Sequence, residues 1–162
     1  MTDQPADRIQ PQGPSPEVLA ELDRLDAACK AAPTDMDAQI RLWQAVAGLE
    51  HWVFINRGTA EQPRPYALAA QAGQMLCVYS SAERAQTAAV ANGLVQAGEP
   101  VPLFQIPLPA AIDWALALGE RGVAGVTGVT VDYPQLGAWC PLPNLVRLRQ
   151  DRTPQGGSAP AQ

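Results

Sequence analysis

The chain has 162 residues, of which 47% are hydrophobic and 17% charged, and this length suits one globular domain with a single core. No apolar run is long enough to span a membrane, and the formal net charge of −5 disfavours binding to nucleic-acid phosphates. The N-terminal residues lack the basic and apolar regions of a secretory signal, so we expect a cytoplasmic protein without a membrane or nucleic-acid partner.

The cysteines Cys29, Cys77 and Cys140 are odd in number and far apart in the sequence. Cys77 lies inside an apolar run, which predicts a buried strand. This distribution favours reduced thiols over a disulfide framework. We expect that only Cys29 or Cys140 reacts readily with a thiol reagent.

Two amphipathic helices are predicted first. A Ser-Pro-Glu start at Ser15 supplies a cap, a first-turn proline and an acid for a helix over residues 16–31. Its apolar residues recur on one face: Val18, Leu22, Leu25 and Cys29. Pro33 ends this helix, and residues 34–37 begin a second one. The predicted apolar stripe of the second helix is Met36, Ile40, Trp43 and Ala47. The two helices should form a hairpin.

After His51 the pattern changes to short runs of aromatic and β-branched residues. These runs predict three strands in a meander, over residues 52–56, 66–70 and 75–79. Ser80 and Glu83 then match a capping box for a helix that ends at Asn92 and Gly93. The side of that helix that faces the sheet should consist of small residues: Ala82, Ala85, Ala88 and Ala89.

The later elements alternate in the same way. Residues 101–106 predict a strand, Pro109 begins an apolar helix, and residues 123–133 predict a strand with irregularly spaced glycines. Residues 141–149 suit either a short helix or an edge strand.

The whole pattern predicts an α/β fold, in one domain over residues 16–149. We expect a mixed sheet of about five strands, flanked by helices and preceded by the helical hairpin. The Pro-rich ends, residues 1–15 and 150–162, have the composition of disordered arms.

No catalytic or metal-binding pattern is recognisable in the sequence. His51 is the single histidine, and we interpret it as structural or solvent-exposed because no second ligand or nucleophile accompanies it. Gly122, Gly125 and Gly128 form a GxxGxxG pattern, which differs from dinucleotide and phosphate loops and favours a bulged or closely packed strand. We therefore predict no catalytic residue, no cofactor and no metal.

Three residues are candidates for contact with a ligand or partner. Asp113 lies inside an apolar helix, where a carboxylate is unusual. Tyr133 and Trp139 lie in loop-like segments near the C-terminal side of the predicted sheet, where open α/β sheets present ligands. The alternative is that the two aromatic side chains close the end of the core.

The order of elements resembles the N-terminal domain of the SseB family over about residues 17–148. In that family an apolar strand ending in Phe-Thr-Ser leads into a helix, and the last strand carries an Asn/Asp-Pro-Gly corner. Here Val78-Tyr79-Ser80-Ser81 takes the first place, and Asp132-Tyr133-Pro134 takes the second without the glycine. The resemblance implies a bacterial cytosolic α/β protein and brings no catalytic residue with it.

These observations favour a non-enzymatic module that binds another protein, with the oligomeric state left open. One alternative is a small-ligand sensor or an enzyme with a pocket near Asp113, Tyr133 and Trp139. A second alternative is an immunity-type protein whose acidic surface neutralises a basic toxin or effector.

Overall fold

The computed structural model describes residues 14–70, 73–120, 125–133, 135–136 and 138–158, with residues 151–158 described by their backbone alone. In chain order the elements are α1 (Pro16–Ala31), α2 (Met36–Ala47), β1 (His51–Ile55), β2 (Ala67–Ala70), β3 (Gly73–Val78), α3 (Ala82–Ala91), β4 (Leu103–Pro107), α4 (Ala110–Glu120), β5 (Val126–Val131), β6 (Trp139–Pro141) and α5 (Leu142–Ser158). The predicted α/β fold class is confirmed. No helix among the described residues is both long and apolar enough to cross a membrane.

The predicted helical hairpin is present as α1 and α2. The Ser15 hydroxyl accepts a hydrogen bond from the Val18 N–H, and Asp35 caps α2 in the same way. The apolar face of α2 differs from the predicted stripe, because Met36 and Ile40 are exposed. The buried face consists of Ala38, Leu42, Trp43, Val46 and Ala47. The helix thus faces the core with Leu42 and Val46 instead of Met36 and Ile40.

The strands divide between two sheets, so the predicted single sheet is wrong. Of the predicted meander, the antiparallel pairing of β2 with β3 is confirmed, whereas β1 belongs to the other sheet and meets this part of the chain only at isolated bridges. β1 pairs antiparallel with β4, and the second sheet has the order β2-β3-β5-β6. Within it β3 and β5 are parallel, and the other pairs are antiparallel. β1 meets the end of β3 at an antiparallel bridge between Val53 and Tyr79. On one side of this bridge Ser81 caps α3. On the other side Tyr66 lies between the two strands, since its N–H donates to Ile55 and its carbonyl accepts from Cys77.

The larger sheet is covered on both faces. On one face Leu76, Val78 and Val129 pack in a core with residues of α1, α2, α4 and α5. On the other face Cys77 and Tyr79 pack with Val53 of β1 and with α3. The predicted small face of α3 is confirmed at three positions, Ala85, Ala88 and Ala89, whereas Ala82 is exposed.

An aromatic cluster fixes the small sheet against α4. Phe54 of β1 stacks on Phe104 of β4, with 5.2 Å between ring centroids. Trp114 of α4 meets both rings edge-on, at 5.0 Å from Phe54 and 5.7 Å from Phe104. Phe54 is completely buried, so this cluster anchors β1 and β4 to the main core.

Close packing explains why β5 has a glycine at position 128. A Cβ atom at this position would lie 2.7 Å from the carbonyl oxygen of Cys140 and 3.1 Å from the ring of Trp139. The glycine therefore allows β6 and the indole to approach β5 closely, as expected for a closely packed strand. Gly122 lies outside the described residues.

The chain ends differ in what is described. Residues 141–149, expected as a short helix or an edge strand, divide between β6 and α5. The backbone of α5 continues helical to Ser158, within the segment 150–162 that composition predicts to be disordered. Most of the predicted N-terminal arm, residues 1–13, lies outside the described residues.

All three cysteines are free thiols, and their burial predicts an order of reactivity. Burial raises the pKa of Cys77 to about 11 and that of Cys140 to about 12, so few thiolates form at neutral pH. Cys140 is only 3% exposed, which removes it from the accessible pair that the sequence suggests. Cys29 is partly exposed. Brief alkylation of the native protein, followed by mass spectrometry, should label Cys29 first, and rapid labelling of Cys77 or Cys140 would contradict this packing.

Candidate functional site

The three residues singled out in the sequence lie on different elements. Asp113, in the first turn of α4, forms an ion pair with Arg149 of α5. Tyr133 follows β5 and is 37% exposed, and Trp139 begins β6 and is 47% exposed, so neither closes the end of the core. Trp139 lines a groove of about 390 Å³ beside the α1–α2 hairpin, and Asp113 and Tyr133 lie outside that groove.

A buried polar network lies where the parallel strands β3 and β5 end. The Asp132 carboxylate accepts hydrogen bonds from the Ser80 N–H at 2.7 Å, from the Ser80 hydroxyl at 2.6 Å and from Arg84 at 2.9 Å. Arg84 also donates to Asp23 of α1 at 2.9 Å. The network therefore connects both strand ends to α1 and α3.

Sequence reasoning missed this network because it assigned Ser80 to the helix cap. The cap of α3 is Ser81, whose hydroxyl accepts the Arg84 N–H at 3.1 Å, so the predicted capping box of Ser80 and Glu83 is wrong. Asp132 carried one available signal, because it follows a buried apolar strand directly. Its left-handed backbone, with φ of 52°, is a conformation that aspartate tolerates better than most residues.

The Asp132 carboxylate accepts hydrogen bonds from donors of the protein itself. Burial raises the pKa of Asp132, while the bonds from Ser80 and Arg84 lower it, and burial has the larger effect. Because the Ser80 hydroxyl donates to this carboxylate, it is held inside the protein, and Ser80 is only slightly exposed. We interpret the network as a clamp that fixes the start of α3 relative to the sheet.

Next to this clamp is a groove of about 800 Å³, which we call the α3 groove. It opens where β1 and β3 separate, between the start of α3 and the small sheet. Its apolar lining comes from several elements: Val18, Leu49, Val53, Leu103 and Phe104. Val18 is 40% exposed, which is unusual for a valine on a helix face that otherwise packs in the core. This volume is in the range of ligand and peptide pockets.

The charged residues that line the α3 groove are acidic. Glu50 and Glu83 both line it, and neither forms an ion pair with a described residue. Among the described residues no lysine or arginine lines the groove. His51, which the sequence suggests is structural or exposed, is partly exposed in the same wall. The described lining of the groove thus combines carboxylates with apolar surface and contains no lysine or arginine side chain.

A metal site is not found in this part of the chain or elsewhere in the described residues, where no three His, Cys, Asp or Glu side chains form a suitable group. No family model matches the sequence, and no curated protein matches it. The resemblance to the SseB family therefore stays a prediction.

Proposed function

We propose that this protein is a non-enzymatic interaction module that binds a basic, partly apolar segment of a partner protein in the α3 groove. The observation that carries the proposal is the pair of carboxylates, Glu50 and Glu83, which lie beside apolar walls and have no cationic partner in the described residues. A lysine or arginine of the partner would supply the missing charge, and apolar neighbours would cover Val18 and Phe104.

The serines of the groove support binding rather than nucleophilic catalysis. The Ser80 hydroxyl donates to Asp132, and the Ser81 hydroxyl accepts the first-turn N–H of Arg84. Both hydroxyls thus have partners that stabilise the fold. A catalytic serine needs instead a base that accepts its proton and a free path to the substrate.

The immunity-type alternative uses the same surface. A basic toxin or effector is one example of the partner that the acidic groove would accept, and the net charge of −5 would attract such a protein over a distance. The small-ligand alternative has less support, because Asp113 is paired with Arg149 and does not share the groove that Trp139 lines.

The proposal predicts charge-selective binding of a defined probe. We choose a short capped peptide of alternating Lys and Val, the Lys-Val peptide, and a Glu-Val peptide as its acidic counterpart. The double variant Glu50→Gln/Glu83→Gln should bind the Lys-Val peptide about three- to tenfold more weakly than the wild type, since two exposed ion pairs are lost. Fluorescence anisotropy at low salt measures the affinities.

The matched control is Glu61→Gln/Glu120→Gln, which removes the same charge from exposed acids outside the α3 groove. It should bind the peptide as the wild type does. Equal affinity of the wild type for the Lys-Val and Glu-Val peptides would contradict the proposal. Equal weakening by the two double variants would mean that only net charge matters.

A further inference from the structure

The hydrogen bonds of β1 alternate strictly between its two sides. Towards β4, the Glu50 carbonyl accepts from the Leu108 N–H and the Asn56 N–H donates to the Pro102 carbonyl. Towards the larger sheet, Val53 exchanges two hydrogen bonds with Tyr79. In an antiparallel pair, residues that bond to one neighbour alternate with residues that face the other side. Even-numbered residues of β1 therefore bond to β4, and odd-numbered residues face away from it.

His51 is an odd-numbered residue, so its main-chain N–H and C=O face the α3 groove. It lies opposite Pro107 of β4 in a pair without main-chain hydrogen bonds, like the other odd-numbered residues of β1. On the other side, the Val53–Tyr79 register would bring His51 opposite Ser81. The Ser81 carbonyl instead accepts the Ala85 N–H inside α3. Among the described residues, the main chain of His51 therefore has no hydrogen-bond partner on this side of β1.

We propose that the partner segment enters the α3 groove in an extended conformation and pairs through its main chain with His51. This inference rests on the proposed function, and it specifies how that site recognises its partner. The added strand would pair with β1 at the position where the chain after Tyr79 turns into α3. Its alternating side chains would contact the apolar lining and the carboxylates of Glu50 and Glu83.

The test compares His51→Pro with His51→Ala. Proline removes the main-chain donor, and it is tolerated at an edge position whose N–H is not used in the sheet. Alanine removes the imidazole and keeps the donor. His51→Pro should bind the Lys-Val peptide about three- to tenfold more weakly than His51→Ala, the effect of one hydrogen bond.

A second probe keeps the inference testable if His51→Pro fails to fold. The wild type is titrated with two N-methylated forms of the Lys-Val peptide, one methylated at the valines and one at the lysines. At least one form should bind more weakly than the parent peptide, because pairing with the His51 carbonyl needs a peptide N–H. Unchanged binding of both forms, or equal binding by His51→Pro and His51→Ala, overturns the main-chain pairing and leaves the proposed function in place. Absence of any binding of the Lys-Val peptide to the wild type overturns the proposed function itself.

Discussion

Replacing Asp132 with Ala should lower the free energy of unfolding by about 3 to 5 kcal/mol, one of the largest single-residue effects in this protein. The change leaves the Ser80 N–H and hydroxyl without their acceptor, and it removes one of the two carboxylates that hold the largely buried Arg84. Alanine also fits poorly in the left-handed backbone at this position. Urea denaturation measures the loss.

Asp132→Asn separates the charge from the other contributions, because asparagine tolerates the same backbone and can still accept the Ser80 N–H. We expect it to cost about 1 to 3 kcal/mol. Burial raises the pKa of Asp132 in the folded state. Its contribution to the free energy of unfolding is therefore complete at a pH below its pKa in the unfolded chain, about 4, and declines as the pH rises through its pKa in the folded protein. The stability advantage of the wild type over Asp132→Asn should therefore shrink as the pH rises through this window. An advantage that grows instead would contradict the clamp's electrostatics.

Replacing Phe54 with Ala should cost about 3 to 5 kcal/mol, because it empties the centre of the aromatic cluster that holds the small sheet on α4. Phe54 is completely buried and contacts the rings of both Phe104 and Trp114. The matched control is Tyr133→Ala, which truncates an exposed aromatic side chain and should change stability by about 0.5 kcal/mol or less. Equal losses for the two variants in urea would mean that the small sheet is not anchored through Phe54.

Local signals predicted most elements of the fold. The Ser-Pro start of α1 and the Asn-Gly end of α3 both involve neighbours within one helical turn. Strand β5 was recognisable from its β-branched residues despite its glycine, Gly128. These features depend on short-range chemistry, which a single sequence contains.

The clamp could not be predicted in the same way. Ser80 and Ser81 are adjacent, and either could cap a helix by its own chemistry. Asp132, which lies 52 residues further along the chain than Ser80, accepts both the N–H and the hydroxyl of Ser80. The helix cap is therefore Ser81. The division into two sheets also depends on distant residues, since Tyr66 lies between Ile55 of β1 and Cys77 of β3 and bonds to both.

The α3 groove was also beyond sequence reasoning. His51 was noticed as the single histidine, but its open backbone edge depends on the registers of β1 with both β3 and β4. Glu50 and Glu83 are far apart in the sequence and become neighbours of one groove only after α3 folds against the small sheet. Isolated acids give no local pattern that distinguishes them from ordinary surface carboxylates.

The most direct test of the proposed function is a titration of the isotopically labelled protein with the Lys-Val peptide, followed by amide chemical-shift changes. The largest changes should fall on the walls of the α3 groove, at residues 49–53, 80–83 and 103–105. The amides around Trp139, which borders the other groove, should change little. Absence of saturable changes, or changes centred on Trp139 instead of His51, would contradict the assignment of the binding site.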